Sequence, residues 1–217
     1  MEVLVAQAQY RAMKPNRIGR NALMILGLVA TSNPTFSRTA VTDLHLAVRL
    51  YDYVNLPGDE WSELAANAAR VLRHANVEVN FVECYRGGIE SSLPECKGFL
   101  RPGELMLRVF QAKSAANGRQ PAFAAMTPEG GAIMTIYINP AERNVRSGVL
   151  SYGTLLGHAV AHEIGHLLLG VSSHSPGGIM RLVWRQSEEE LMVKRGLLFD
   201  AGQASRIRAA LIAKAGQ

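Results

Sequence analysis

Long apolar runs, repeats, acidic loops and cysteines are all scarce in this 217-residue chain, and each scarcity narrows what it can be. The apolar run from Ala22 to Ala30 falls far short of the roughly 20 residues a membrane-spanning helix needs. No internal repeat or low-complexity tract appears, and no run of acidic residues follows the EF-hand pattern, so a calcium loop of that kind is excluded. Basic helix faces interleaved with aromatics are also missing. The net charge of +5 is concentrated at the start: Arg11, Lys14, Arg17 and Arg20 against Glu2 put +3 into the first 32 residues, leaving +2 for the rest. That distribution sets nucleic acid aside as a partner. What remains, 48% hydrophobic and 19% charged, is one globular domain with a substantial core.

The early basic residues precede the Ala22–Ala30 run, and Ala30-Thr31-Ser32 follows with small residues suited to cleavage. Residues 1–32 therefore read as a signal peptide, with Met13 a rival start that shortens the basic region, and residues 33–217 as the mature domain. A buried N-terminal strand or helix is the alternative reading. Export gives the two cysteines, Cys84 and Cys96, an oxidising compartment in which they form one disulfide; in a reducing compartment they are two free thiols. A secreted, periplasmic or extracellular location follows, with no stable membrane span once the signal is removed.

The chemistry concentrates between His158 and Met180. His162-Glu163-Ile164-Gly165-His166 is an H-E-x-x-H motif. On a helix, positions four apart share a face, so His162 and His166 present two imidazoles to one ion. Zinc accepts neutral imidazole and prefers tetrahedral sites. Glu163 is rotated off the ligand line, where its carboxylate reaches water and serves as general base. A catalytic zinc needs a third protein ligand. Gly170 follows Leu167-Leu168-Leu169 and suits the end of the helix, because glycine accepts the left-handed conformation there. A chain turning back at Gly170 carries His174 toward the metal. Gly177-Gly178-Ile179-Met180 then allows a tight turn ending in methionine. His158 lies one turn before His162; a fourth ligand would close the site to water, so it reads as a supporting or packing residue.

These residues resemble the metzincin metallopeptidases, which carry H-E-x-x-H-x-x-G-x-x-H followed by a methionine turn. The spacing departs from that pattern: Gly170 lies four residues and His174 eight residues after His166, against three and six in the family. His174-Ser175 and the hop to Gly178-Ile179-Met180 are most similar to matrixin-like members and to secreted bacterial proteins with an HEIGHLLLG…HS…GIM core. No Pro-Arg-Cys-Gly cysteine switch is present. The gluzincin pattern offers a rival third ligand among Glu188, Glu189 and Glu190, which lie 22 to 24 residues after His166. The simpler reading of Ser187 and these acids is a helix N-terminus with Ser187 as cap.

Periodicity places strands at 45–54, 77–83, 104–110, 122–126 and 132–139. It places a capped amphipathic helix at 59–74, the motif helix at 152–169 and a last helix at 204–214. The first strand, helix and second strand form a β-α-β crossover. The resemblance implies an α+β, zincin-like fold: a mixed twisted sheet packed on an active-site helix, with a small C-terminal helical subdomain. It further implies one zinc held by His162, His166 and His174, Glu163 as base, Met180 as floor, and an extended peptide or protein substrate beside the 122–126 and 132–139 pair. The activity implied is that of a zinc endopeptidase. A zinc hydrolase of non-peptide or peptidoglycan amide bonds, or a catalytically inactive zinc protein, are the alternatives.

Overall fold

Alternation of apolar and polar side chains builds the sheet first. In the computed structural model, which describes residues 3–4, 44–101, 103–112, 122–127, 131–138, 150–169 and 174–215, strand β2 (Leu44–Asp52) buries Leu46, Val48, Leu50 and Asp52 on one face. Helix α1 (Gly58–His74) follows, and strand β3 (Val77–Arg86) returns parallel to β2. This is the β-α-β unit expected from the sequence. The helix turns Leu64, Ala68, Val71 and Leu72 into the core. Its first residue is Gly58, and no side chain caps it; Asp59 and Glu60 in the first turn and Arg73 and His74 in the last complement the dipole instead.

Among the described residues six strands form one sheet, in the order β4 (Ile89–Glu90), β3, β2, β5 (Leu105–Gln111), β7 (Ala132–Ile138), β6 (Ala122–Met126). Strand β5 is parallel to β2, and β7 is parallel to β5. The two edges are antiparallel: β4 against β3, and β6 against β7. The sheet is therefore mixed and the fold α+β, as the order of elements implied. A separate two-stranded ribbon pairs β1 (Val3–Leu4) with β8 (Val183–Trp184). The remainder of the expected signal peptide, the leader to residue 43 and Gly170 lie outside the described residues. None of the described helices is long and apolar enough to cross a membrane.

Helix α2 (Tyr152–Leu169) spans the range expected for the motif helix and is buried along most of its length. A helix carrying three histidines and a glutamate is buried this deeply because another backbone comes very close to it. A Cβ on Gly153 would sit 2.5 Å from the Glu60 carbonyl oxygen, and one on Gly157 2.6 Å from that of Leu64. The four-residue glycine spacing thus lets α1 press directly against α2. Helix α3 (Gln186–Val193) and helix α4 (Ala201–Ala215) complete the chain. Strand ends differ from the sequence reading by up to three residues, and two helices start two or three residues earlier than expected. Helix α3 is capped at Arg185, not at Ser187, because the Arg185 backbone N–H donates to Glu188 Oε2 at 2.9 Å. Helix α4 starts before 204 because Asp200 and Gln203 bond each other's backbone N–H at 2.7 and 3.0 Å, a reciprocal cap.

Cys84 and Cys96 are joined in a disulfide that closes the β3–β5 connection, as expected for an oxidised pair. Beneath that connection the buried Arg49 guanidinium pairs with Glu104 at 2.5 Å and donates to the Gly98 and Phe99 carbonyls at 3.1 and 3.2 Å. Replacing both cysteines by serine should lower stability by roughly 3 kcal/mol, the chain-entropy value for a loop of this length; an unchanged urea midpoint would show that Arg49 holds the loop unaided. Gly157→Ala should destabilise by ~1–3 kcal/mol although alanine favours helices by about 1 kcal/mol, because the added methyl has no space against α1. Thermal melts of the two proteins decide it.

Candidate metal centre

The 3.6-residue period brings His162 and His166 to one side of α2, where His174 meets them. The three imidazoles each present a ligand atom within 4.8 Å of the others, the one such group of His, Cys, Asp or Glu among the described residues. His162 Nε2 and His166 Nε2 are 2.9 Å apart. The His174 ring centroid stands 5.4 Å from that of His162 and 4.8 Å from that of His166. His162 and His166 are buried, while His174 is half-buried and opens the cluster to one side.

Hydrogen bonding selects which nitrogens face the cluster. His162 Nδ1–H donates to the Ile179 carbonyl at 2.7 Å, which leaves a lone pair on Nε2. His174 Nε2 is buried and has no hydrogen-bond partner among the described residues. Burial, with the neighbouring His166 and His174 adding to it, holds His162 down at about 3 against the partial opposition of its Ile179 bond. Burial also lowers His174. Both rings are thus neutral near pH 7, the form a metal requires. Three convergent imidazoles, one of them with an orphaned buried nitrogen, fit the donor preference of zinc.

Glu163 is fully buried, and neither carboxylate oxygen has a hydrogen-bond partner among the described residues. Burial alone pushes it up to about 8. An orphaned carboxylate is costly unless a positive charge or a reacting group meets it. His158 is placed differently. Its Nδ1 donates to the Thr154 carbonyl at 2.7 Å, and its Nε2 accepts from the Arg70 guanidinium at 3.1 Å. Both nitrogens are engaged between α1 and α2, and burial holds the ring neutral, down to about 4.

The turn ending in Met180 lies directly under the motif helix. Met180 is buried, and a Cβ on Gly165 would sit 2.6 Å from its sulfur and 2.8 Å from the Phe199 ring. Gly165, an unspecified position of the motif, is therefore where the turn touches the helix. The turn is closed by Arg181 N–H to the Gly178 carbonyl at 3.2 Å and by Ser175 N–H to the Met180 carbonyl at 2.9 Å. Gly178 takes a φ of 71°, the left-handed conformation that favours glycine.

Glu188 does not join the imidazoles. Its carboxylate accepts from Arg181 at 2.7 Å, from the Arg185 backbone at 2.9 Å and from Ser187 at 3.1 Å. Burial works to raise it, but these donors together hold it below the usual range. Glu190 accepts from Gln186 on the exposed side of α3. None of the three glutamates belongs to the cluster. What sequence reasoning missed is the support: the Ile179 carbonyl, Gly165 and Trp184. No spacing rule announces a backbone acceptor or a lone tryptophan.

No family model matches the chain, and no curated protein is similar to it. Among solved structures it is similar to metalloproteinase-II from Bacteroides fragilis, with 15% identity, a TM-score of 0.48, and 82% of this chain covering 55% of that one. It is also similar to a zinc-dependent peptidase from Methanocorpusculum labreanum, with 17% identity, a TM-score of 0.38, and coverage of 76% and 99%. The chain spans about half the length of the Bacteroides protein.

In the metal-free chain, Glu163 keeps its proton in the native state up to pH of about 8, while the unfolded chain releases it near 4.5. The native state then binds more protons, so this residue makes stability fall as pH rises across that window. Metal-free Glu163→Gln should match wild type near pH 4 and melt roughly 5–10 °C higher at pH 8. Parallel melting curves across that range would contradict the burial cost assigned to this carboxyl.

Proposed function

We propose that this chain is a secreted zinc-dependent endopeptidase of metzincin-like fold, with Glu163 as the general base and His162, His166 and His174 as the zinc ligands. The observation that carries the reading is the convergence of three imidazoles beside a buried carboxylate that has no hydrogen-bond partner among the described residues. A structural zinc site has no use for such a carboxylate, whereas a hydrolytic one requires it. When bound, zinc supplies Lewis acidity toward a scissile carbonyl and toward water.

The remaining chemistry belongs to the chain. The Glu163 carboxylate accepts the proton of the attacking water as the new C–O bond forms, and it returns that proton to the nitrogen as the C–N bond breaks. A cation in the imidazole cluster favours the ionised form of Glu163 and so readies it as a base. Ile179 keeps His162 in the tautomer that presents Nε2. Met180 packs beneath Gly165 and takes no part in proton transfer. This is the role of a methionine turn.

Strand β6 is antiparallel to β7, packs against α2, and is the edge of the sheet among the described residues. An extended peptide adds to such an edge through its main chain, which supports a peptide or protein substrate. The disulfide supports an oxidising compartment, and with the basic and apolar N-terminal segment it supports export. His174 is favoured as third ligand over Glu188 because the latter is already committed to Arg181, Arg185 and Ser187.

The purified protein should contain about one zinc per chain and cleave casein or a peptide library. Glu163→Ala should keep the zinc and lose activity by ~100-fold or more. His174→Ala should lose zinc affinity. Wild type without zinc would end this reading, and zinc without cleavage of any peptide would turn it toward the non-peptide hydrolases.

A further inference from the structure

Trp184 is one of only two tryptophans in the chain, and it is completely buried. A buried indole needs an acceptor for its N–H. Here the acceptor is the Ile179 carbonyl, at 3.2 Å from Nε1. The same oxygen takes the His162 Nδ1–H at 2.7 Å. One carbonyl, with two lone pairs, therefore ties the tryptophan to the first imidazole of the motif. The rings also meet directly, His162 and Trp184 standing edge to face at 87° with centroids 5.6 Å apart.

The other anchors of the turn leave that carbonyl's direction underdetermined. The Ile179 N–H donates to the Leu198 carbonyl at 3.2 Å, and the Arg181 N–H closes onto Gly178 at 3.2 Å. These position the chain through its N–H groups on either side. Trp184 and His162 both donate to the oxygen itself, and His162 is the residue being positioned. Trp184 lies on β8, outside α2, and its indole is completely buried. A donor fixed from outside the helix can hold the oxygen still while the imidazole seats against it.

We infer that Trp184 is a positioning residue for the metal centre: its indole N–H holds the Ile179 carbonyl where it locks His162 as the Nδ1–H tautomer, with Nε2 turned toward His166 and His174. The inference rests on the zinc reading above and adds a residue to it. A tryptophan that merely filled the core would affect stability and leave the imidazole's tautomer untouched. Outer partners of metal-bound histidines are worth about 10–100-fold in metal affinity or activity.

The test is nitrogen-15 NMR of the imidazole rings in the metal-free protein, paired with zinc titration against a chromophoric chelator. In wild type, His162 should show a single tautomer with an unprotonated Nε2. Trp184→Phe should move those signals toward a mixture of tautomers and weaken zinc binding by about tenfold or more. Trp61→Phe serves as the control, since Trp61 packs edge-on against Phe81 and its loss should change neither readout. Should Trp184→Phe fail to fold, benzothienylalanine incorporated at position 184 in the Trp61→Phe background keeps the ring shape and removes only the N–H. Unchanged His162 signals, with zinc affinity within twofold of the control, would overturn the inference. If wild type binds no zinc, the peptidase reading fails, and the tautomer in the metal-free chain still judges whether Trp184 sets it.

Discussion

The bond from His162 Nδ1 to the Ile179 carbonyl, 2.7 Å long, is the contact on which the rest of the site depends. It joins the motif helix to a turn that comes 17 residues later, and it decides which imidazole nitrogen faces the cluster. Without it, His162 is a buried ring with no defined tautomer. With it, the helix and turn become one unit, and His174, a few residues before Ile179, is brought over the same point. The turn's other bonds, to Leu198 and within residues 175–181, keep that unit closed.

A second constraint supports the first. Burying a helix that carries His158, His162, Glu163 and His166 is expensive, since each polar group leaves water. The chain offsets the cost by close backbone approach at Gly153 and Gly157 and by partners for His158 on Thr154 and Arg70. Glu163 receives no such relief and is raised by burial. On this helix, the carboxylate without a hydrogen-bond partner among the described residues is the one the motif assigns to proton transfer. Perturbed groups of this kind concentrate at functional sites.

Charge elsewhere in the fold is spent on structure. Arg49 and Glu104 pin the connection closed by the disulfide, and Glu188 with Arg181 and Arg185 starts helix α3. The latter arrangement bears on the site indirectly. A glutamate held by three donors is a poor candidate for a metal, so the cap on α3 supports the proposal of His174 as third ligand. The acidic run at 188–190 has one structural use, and that use excludes the other.

Much of this was legible in the chain because it is local. The H-E-x-x-H spacing places His162 and His166 on one helix face wherever that helix is packed, and periodicity located α2 and strand β6 with the bounds observed. The cap of α4 was also written in Asp200 and Gln203, three residues apart, though reading the helix from 204 overlooked it. The choice between His174 and Glu188 was not local, because both lie downstream at distances a turning chain can cover. Tertiary structure gives Glu188 to Arg181 and Arg185, brings His174 to His162 and His166, and leaves His174 Nε2 without a hydrogen-bond partner among the described residues. The supports at Gly165, Ile179 and Trp184 belong to the same class. Spacing along one helix determines which side chains can share an ion. Which atoms turn toward it depends on a backbone carbonyl and an indole N–H that reach the helix only when distant segments pack together.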